Sequence, residues 1–259
     1  KKWLSIEEIA SKEEVENKNG IGFHIPGMFD KILDIDDCYL QPEPSNSIRN
    51  AVREYAFKNK LTFFDIRNKT GSLRTLMIRT TSTKEIMIVL SVFEWHEKEV
   101  FDLLDFLKTK FPQITSLQYV HNEKGNDTFF GLDIKTFFGR DYILEEMEGL
   151  KFKISAKSFY QTNSEQAYNL YKITRNFANL TGNEIVYDLY TGTGTIANFV
   201  AKNAKKVIGI EYVEDAIKDA IENSKTNGIL NTEFFAGDMK LVLNEEFFAT
   251  HGRPDLIIT

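Results

Sequence analysis

The sequence contains a single cysteine, Cys38, and few histidines, which are scattered along the chain at positions 24, 96, 121 and 251. One cysteine excludes an intramolecular disulfide and any zinc site built from several cysteines of this chain. The histidines show no HExxH or comparable spacing, so we expect no catalytic metal. The sequence also lacks an apolar run long enough to cross a bilayer and, at its start, the apolar core of a secretory signal. We therefore expect a cytoplasmic protein without a membrane segment.

The sequence has no strong excess of either charge. Its 32 basic and 38 acidic residues give a formal net charge of −6, which is not the pattern of a protein that binds nucleic acid over its whole surface. Hydrophobic residues make up 42% and charged residues 27% of the chain, as is typical of globular proteins. With 259 residues, the chain is long enough for two domains of ordinary size.

The most informative stretch is EIVYDLYTGTGTIANFVAKNAKKVIGIE, residues 184–211. Its pattern predicts a buried strand, a glycine-bearing turn, a helix and a second buried strand, over residues 185–189, 190–195, 196–203 and 206–210. Ligands of open α/β sheets bind outside the carboxyl ends of the strands. At those ends, Gly192 and Gly194 would let the backbone approach a ligand closely, and the Glu211 carboxylate can accept hydrogen bonds from both hydroxyls of a ribose.

Two cofactors are compatible with this stretch. The segment GTGTIA, residues 192–197, fits the dinucleotide pattern G-x-G-x-x-G/A, and Glu211 follows at nearly the ~20-residue distance expected for its acidic residue. The same segment fits the S-adenosylmethionine loop of Rossmann-like methyltransferases, in which an Asp at the position of Asp188 precedes the glycines. An ordinary strand-turn-helix with glycines at its turn is the remaining interpretation.

The rest of the sequence predicts a separate α+β module followed by an α/β half. Residues 1–20 are charged and predicted to be partly helical. We predict a hairpin over 22–40, a helix to residue 60 capped by Ser45, strands over 73–80 and 85–93, a helix over 97–111, and strands over 114–120, 128–134 and 140–154. In the α/β half we predict helices over 163–180, 213–226 and 241–248 and strands over 232–235 and 254–259.

A doubly wound sheet needs more strands than this half supplies, so we expect the sequence to stop within a domain. We accordingly divide the chain into an α+β central module, residues 1–160, and the first half of a Rossmann-like α/β domain, residues 161–259.

Several motifs resemble one enzyme family. The segments DLYTGTGTIA, GIEYVEDAI and PDLIIT are similar to the catalytic domain of the uracil-C5 RNA methyltransferases, which use S-adenosylmethionine to make 5-methyluridine in ribosomal and transfer RNA. Tyr190 stands where other methyltransferases carry the first glycine of the loop. Upstream, FYQTN at residues 159–163 is similar to the family's Phe-Phe-Gln-x-Asn, and GFHIPGMFDKILDIDDCYL and LRTLMIRT resemble its central domain. The resemblance covers nearly the whole chain.

The resemblance implies a class I methyltransferase fold, S-adenosylmethionine as cofactor, and methylation of C5 of a uridine in RNA. We favour 23S ribosomal RNA as the substrate, with transfer RNA as the alternative; no protein partner is implied. The cofactor-binding residues implied are Gln161, Asp188, Tyr190, Gly192, Gly194, Thr195, Glu211 and Asp238.

The resemblance gives individual roles to four of these residues, namely Gln161, Tyr190, Glu211 and Asp238. Gln161 and Tyr190 would contact the methionine end and the flank of the cofactor, and Thr195 stands where many members have Asn. Glu211 would bind the ribose hydroxyls, and Asp238 sits where a side chain reaches the adenine. Each has a structural alternative: a helix-start amide in water, a core aromatic, a solvated strand-end acid or, for Asp238, a helix cap.

The sequence departs from the family in what it lacks. The family continues after PDLIIT with Asp-Pro-Pro-Arg and later supplies a Cys nucleophile and a Glu base, none of which is present here. We therefore assign no catalytic residue to this chain and expect the chemistry in a longer protein. Cys38 resembles in place the fourth cysteine of an iron–sulfur site of some members. The other three cysteines are absent, so we interpret Cys38 as a buried, small apolar residue. The N-terminal β-barrel that many members carry is absent as well.

Contacts with RNA are expected from the central module. Arg67, Lys69, Arg74 and Arg79 lie around a turn and a strand and are candidates for phosphate contacts, with a solvated charged face as the alternative.

Two other function classes stay open. A nicotinamide-dependent oxidoreductase is favoured by GxGxxA and disfavoured by Tyr190 and by residues 20–163. A non-enzymatic RNA-binding protein with a degenerate cofactor fold is disfavoured by the intact Gly192, Gly194 and Glu211.

Overall fold

The computed structural model describes residues 2–4 and 18–259. The chain forms two compact units, one made of the described residues up to Thr80 and of Ile86–Asp141, the other of Thr81–Glu85 and Tyr142–Thr259. We had divided the sequence after residue 160, whereas the hairpin that starts at Tyr142 already belongs to the second unit. Most of the predicted N-terminal helical segment lies outside the described residues.

The first unit is α+β. Its elements are β1 (Gly22–Ile25), β2 (Met28–Asp34), α1 (Ser45–Lys58), β3 (Leu73–Thr80), β4 (Ile86–Val92), α2 (Glu97–Lys110), β5 (Ser116–His121) and β6 (Lys135–Gly139). The strands β1 and β2 form an antiparallel hairpin, and the described part of the larger sheet has the order β3-β4-β5-β6. Within it β4 and β5 run parallel and the other neighbours antiparallel. The predicted hairpin, both helices and the β3–β4 pair are confirmed.

Both helices of the first unit pack on one face of this sheet. The apolar side of α2 contributes Leu103 and Leu107 to a buried cluster, and α1 contributes Ile48 and Val52. Leu90 of β4 belongs to the same cluster. The strand β4, with the sequence IMIVLSV, is a central strand of this sheet and is buried along its whole length. The helical periodicity of residues 97–110 therefore predicts the side of α2 that faces the core.

The strand predicted over residues 128–134 is wrong. These residues form a turn and irregular backbone, in which Gly131 has φ 70° and Leu132 N–H donates to Phe129 O at 3.1 Å. The strand of this region, β6, begins only at Lys135. A glycine with positive φ and a local turn bond interrupt the extended backbone that the aromatic residues had suggested.

The predicted helix cap at Ser45 is also wrong. The helix α1 already includes Ser45, which is buried, and the cap position is Pro44, which makes no side-chain cap bond. The Glu43 carboxylate instead accepts hydrogen bonds from Ser47 N–H at 3.2 Å and from its hydroxyl at 2.8 Å. These bonds lower the pKa of Glu43, the hydroxyl bond being the larger cause. A carboxylate therefore meets a free N–H of the first turn in place of a capping hydroxyl.

Cys38 is a free, half-buried thiol, not the buried residue that we expected. Its backbone is fixed by Asn46, whose Oδ1 accepts from Cys38 N–H at 2.9 Å and whose Nδ2 donates to Cys38 O at 3.3 Å. Backbone bonding, and not burial of the thiol, holds this residue in place.

The second unit has an α/β sheet preceded by a hairpin and a helix. Its elements are β7 (Tyr142–Met147), β8 (Leu150–Ser155), α3 (Ser164–Ala178), β9 (Ile185–Leu189), α4 (Thr195–Ala201), β10 (Lys206–Glu211), α5 (Glu214–Thr226), β11 (Thr232–Ala236), α6 (Met239–Val242), α7 (Glu245–His251) and β12 (Leu256–Ile258). The sheet has the order β11-β10-β9-β12 with all neighbours parallel. The order reverses beside β9, and ligands of open α/β sheets bind at such a reversal.

Helices cover both faces of this parallel sheet. On one face, Val186 and Val207 pack with side chains of α3 and α4. On the other face, Tyr187 and Ile208 pack with side chains of α6 and α7, including Phe247. Because successive residues of a strand point to opposite faces, β9 and β10 contribute to both clusters. The continuous apolar runs in the sequence reflect this burial on two sides.

The helix predicted over residues 241–248 is interrupted. It is replaced by α6 and α7, which are separated at Leu243 and Asn244. The Asn244 side chain accepts a hydrogen bond from Phe247 N–H at 2.9 Å and caps α7. An asparagine inside an apolar helical pattern has started a new helix here, because its side chain competes with the backbone for N–H donors.

The four basic residues proposed for phosphate contacts differ in their surroundings. The Arg74 side chain is 1% exposed and donates to the carbonyl oxygens of Asn122, Lys124 and Asn126, each at 2.7 Å. Arg67 is paired with Asp30, Arg79 is half-buried, and Lys69 is exposed. Arg74 is thus committed to the loop that follows β5, which contradicts its proposed role as a phosphate contact.

We predict that Arg74→Ala destabilises the first unit by about 2–4 kcal/mol, because three carbonyl oxygens of the loop after β5 lose a buried, charged donor. Both tryptophans, Trp3 and Trp95, lie in this unit, so urea unfolding followed by tryptophan fluorescence measures the effect. The control is Lys69→Ala, whose side chain is exposed and whose loss should leave the urea midpoint unchanged. Equal midpoints for the two variants would show that the Arg74 bonds contribute nothing.

Candidate functional site

The turn between β9 and α4 has a fixed and unusual backbone. Thr191 N–H donates to Ile210 O on β10 at 3.1 Å, and Gly194 N–H donates to Thr191 O at 2.9 Å. We call residues 190–195 the glycine loop. Gly192 and Gly194 have φ values of 56° and 74°, a conformation that favours glycine. The loop lies at the carboxyl ends of the central strands, as we predicted.

The two glycines of the loop are required for different reasons. A Cβ on Gly194 would lie 2.9 Å from Ala220 Cβ and 3.0 Å from Phe234 Cε1, so packing excludes any side chain there. A Cβ on Gly192 would meet nothing within 4 Å. The glycine loop is therefore packed tightly against the protein at Gly194 and is open at Gly192, where a ligand can approach the backbone.

Tyr190 also has a left-handed backbone. Its φ is 63°, which is rare for a bulky residue and costs on the order of 1–3 kcal/mol. Its side chain is 72% exposed, so it does not serve as a core aromatic. Strained backbone of this kind is concentrated at functional sites.

The glycine loop is joined to the sheet by a buried carboxylate. Asp188, at 2% exposure, accepts hydrogen bonds through Oδ2 from the Thr191 hydroxyl at 2.5 Å and from Ala197 N–H at 3.1 Å. It thereby connects the end of β9, the loop and the first turn of α4. Burial raises the pKa of Asp188 to about 6; its two hydrogen bonds oppose the rise, and the nearby Glu211 carboxylate adds to it.

Glu211 is held against the glycine loop from the neighbouring strand. Its Oε2 accepts from Gly192 N–H at 3.2 Å and its Oε1 accepts from Val213 N–H at 3.1 Å. Each carboxylate oxygen has two lone pairs, so each keeps capacity for another donor. A simple solvated acid would not be oriented in this way. The arrangement presents a fixed pair of acceptors beside the open face of Gly192.

Thr195 and Asp238 have structural partners of their own. Thr195 is buried as the first residue of α4, and its hydroxyl lies 3.2 Å from that of Thr193. Asp238 caps α6 by accepting from Lys240 N–H at 2.9 Å, the use given above as its structural alternative. The preceding Gly237 N–H donates to Glu211 O at 2.9 Å, so Asp238 follows the end of β11 beside Glu211.

Gln161 lies apart from the hydrogen-bonded residues of the loop. It is exposed, two residues before Asn163, which caps α3 by accepting from Gln166 N–H at 3.0 Å. In the part of the chain that the structure describes, no hydrogen bond joins Gln161 to the glycine loop. The hydroxyl of the preceding Tyr160 is buried and has no partner among the described residues. This segment therefore carries a buried polar group to which no other described residue is hydrogen-bonded.

Two asparagines that we did not identify from the sequence support the loop. Asn198 Nδ2 donates to Gly194 O at 2.7 Å, and Asn223 Nδ2 donates to Thr193 O at 3.0 Å. Both side chains are buried. They could have been recognised in the sequence as asparagines on the apolar face of a helix. A buried side-chain amide at such a position needs a specific hydrogen-bond partner.

The described residues contain neither a metal-binding cluster nor a membrane-spanning helix. Among residues 2–4 and 18–259, no cluster of three or more His, Cys, Asp or Glu side chains is arranged to hold a metal ion. Over the same residues, no helix combines the length and the apolar character needed to cross a membrane.

Comparison with known proteins identifies the fold. Residues 180–259 match a family model described as a methyltransferase domain. This part of the chain has the class I methyltransferase fold. The match covers β9 to β12, and with them the glycine loop, Asp188 and Glu211.

The chain is similar along its whole length to longer bacterial proteins. It is 56% identical over 262 residues to a protein of Bacteroides thetaiotaomicron and 57% identical over 264 residues to one of Porphyromonas gingivalis. Both are named uncharacterized RNA methyltransferase. Each alignment covers 100% of this chain, which spans 58% and 57% of the length of these two relatives.

A solved structure resembles most of the chain. It is the crystal structure of Pyrococcus abyssi tRNA (uracil-54, C5)-methyltransferase in complex with S-adenosyl-L-homocysteine. The sequence identity is 30%, the TM-score is 0.71, and the match covers 85% of this chain and 53% of that chain.

The raised pKa of Asp188 gives a pH-dependent stability. Because its pKa in the folded protein, about 6, exceeds the ordinary value of 3.8, folding favours the protonated acid. The stabilisation is complete below pH ~4 and is lost as the pH rises through ~6, with a total of about 3 kcal/mol at most. We predict that Asp188→Asn, which keeps an acceptor oxygen but cannot ionise, removes this loss.

The measurement is urea unfolding followed by circular dichroism between pH 4.5 and 7.5. The free energy of unfolding of Asp188→Asn, relative to wild type, should increase with pH and level off above pH ~7. Asp215→Asn, a change of an exposed carboxylate on α5, is the control and should not show this increase. A constant difference between Asp188→Asn and wild type would contradict the assignment.

Proposed function

We propose that this chain binds S-adenosylmethionine at the glycine loop and is part of an enzyme that methylates C5 of a uridine in RNA. The observation that carries the proposal is the extent of the match to the Pyrococcus abyssi enzyme. A match over 85% of the chain includes much of the first unit, which a methyltransferase domain alone would not explain. The names of the bacterial relatives support RNA as the substrate.

The residues of the site fit this cofactor. S-adenosylmethionine, the cofactor of methyltransferase domains with this fold, supplies a methyl group bound to a positively charged sulfur. Glu211 would accept hydrogen bonds from the ribose hydroxyls, because its two oxygens are already oriented by Gly192 and Val213. The open face of Gly192 leaves room for a ligand against the backbone.

Roles for three other residues are part of the same proposal. Tyr190 and Gln161 are exposed and would contact the methionine portion of the cofactor. Asp238 would reach the adenine while it continues to cap α6.

The class of RNA is a further step. The Pyrococcus abyssi protein acts, by its name, on uracil-54 of transfer RNA. From the sequence we favour 23S ribosomal RNA and keep transfer RNA as the alternative. Uridine-C5 methylation of either RNA would use the same cofactor site.

The proposal is preferred over the two other function classes. A nicotinamide-dependent oxidoreductase would share the two glycines and Glu211, but the methyltransferase match over residues 180–259 favours S-adenosylmethionine. A non-enzymatic RNA-binding protein would not need the strained Tyr190 or the oriented carboxylate of Glu211.

The cofactor is tested by calorimetric titration of the chain with S-adenosylhomocysteine and, separately, with NADH. We predict binding of S-adenosylhomocysteine only, weakened roughly ten- to a hundredfold by Glu211→Ala, because contacts to two ribose hydroxyls are lost. Glu214→Ala removes an exposed carboxylate at the start of α5 and should leave the Kd unchanged. Binding of NADH would support the oxidoreductase, and binding of neither ligand would support the degenerate fold.

The RNA is tested in the host organism. Deletion of the gene should abolish one 5-methyluridine, measured by mass spectrometry of nucleosides and mapped fragments from purified 23S ribosomal RNA and transfer RNA. Complementation with the wild-type gene should restore it, and complementation with the Glu211→Ala gene should restore less. Unchanged 5-methyluridine in both RNA classes would contradict the proposed substrate. It would not affect the conclusion on the cofactor, which the titration with S-adenosylhomocysteine tests separately.

A further inference from the structure

A ladder of polar side chains on α5 and on its C-terminal cap residue, Asn227, faces the strand β8. Asn223 and Asn227 are four residues apart and therefore lie on one side of the helix. Asn227 accepts from Lys151 N–H and donates to Lys151 O, both at 2.7 Å. Asn223 accepts from Lys153 N–H at 2.7 Å. In the described part of the chain β8 pairs only with β7, so these amides occupy the backbone positions that another strand would bond.

Asp219 extends the ladder by another four residues. Its Oδ2 accepts from the Ser158 hydroxyl at 2.5 Å, and the Ser158 hydroxyl oxygen accepts from Ser155 N–H at 2.9 Å. The turn that follows β8 is thereby attached to α5 just before Gln161. Burial raises the pKa of Asp219, and its bond to Ser158 opposes that rise.

Asn223 also reaches the glycine loop. Its Oδ1 accepts from β8, while its Nδ2 donates to Thr193 O at 3.0 Å. Asn223 is 1% exposed and Thr193 is buried, so water does not readily replace this donor. Of the three ladder residues, only Asn223 has a described hydrogen bond to the loop. Asp219 contacts Ser158, and Asn227 contacts Lys151.

We infer that Asn223 is a positioning residue of the glycine loop, which couples the backbone at Thr193 to the β8 edge through one amide. The amide is suited to this task because its two ends have opposite hydrogen-bonding character. Loss of the donor end would leave a buried carbonyl oxygen without a partner. The loop would then lose the fixed geometry in which Gly192 N–H meets Glu211. The inference rests on the proposed function only for the identity of the ligand.

The test compares Asn223→Asp with Asn227→Asp. Both changes keep an acceptor for the β8 backbone and remove an amide donor, but only the first removes a donor from the loop. In hydrogen exchange, the amides of Gly192 and Gly194 should exchange faster in Asn223→Asp than in wild type, and those of Asn227→Asp should match wild type. The Kd for S-adenosylhomocysteine should increase about tenfold in Asn223→Asp and less than about twofold in Asn227→Asp.

The two readouts separate this inference from the proposed function. If wild type does not bind S-adenosylhomocysteine, the proposed cofactor is wrong, and the exchange of the loop amides still decides the role of Asn223. Equal exchange at Gly192 and Gly194 in both variants would overturn the inference, as would a general increase over both units. Should Asn223→Asp fail to fold, Asn223→Leu removes the donor without adding charge, and Asn227→Leu is then its matched control.

Discussion

The candidate site depends on two carboxylates that hold one loop between neighbouring strands. Asp188, near the end of β9, accepts a hydrogen bond from Ala197 N–H in the first turn of α4. Glu211, at the end of β10, accepts one from Gly192 N–H. Burying Asp188 costs free energy, which its hydrogen bonds only partly offset, as its raised pKa shows. The loop also has a strained Tyr190 and a Glu211 carboxylate oriented by Gly192 N–H, which a turn that served only to connect β9 to α4 would not need.

The surrounding fold determines how this loop is presented. The sheet order β11-β10-β9-β12 places the loop beside the reversal of strand order, where the carboxyl ends of the strands leave a crevice. Gly209 and Gly194 allow Phe234 to pack beneath the loop, since a Cβ on either would lie 3.0 Å or less from its ring. The loop is therefore closely packed at Gly194 and open at Gly192, where a ligand can approach the backbone. The hydrogen bonds of α5 to β8 and to Thr193 fix the same region from the side.

Elements with a strong apolar pattern could be predicted from the sequence, because burial imposes that pattern. The bounds of β9 and the positions of Gly192 and Glu211 were recovered in this way. Features that depend on a single polar contact were not recovered. The sequence around Arg74 does not distinguish it from an exposed basic residue, because its partners are carbonyl oxygens of the loop after β5, about 50 residues away. Likewise Asn244 divides a predicted helix through one cap bond, and Asn223 acts through partners distant in sequence.

The central claim is that the glycine loop and Glu211 together form the cofactor site. The most direct test is an X-ray structure of the chain crystallised with S-adenosylhomocysteine. We expect both ribose hydroxyls at about 2.5–3.0 Å from the Glu211 carboxylate, with the ligand lying over the open face of Gly192. Electron density for the ligand at another place on the chain, with the space between Gly192 and Glu211 filled by water, would contradict the account.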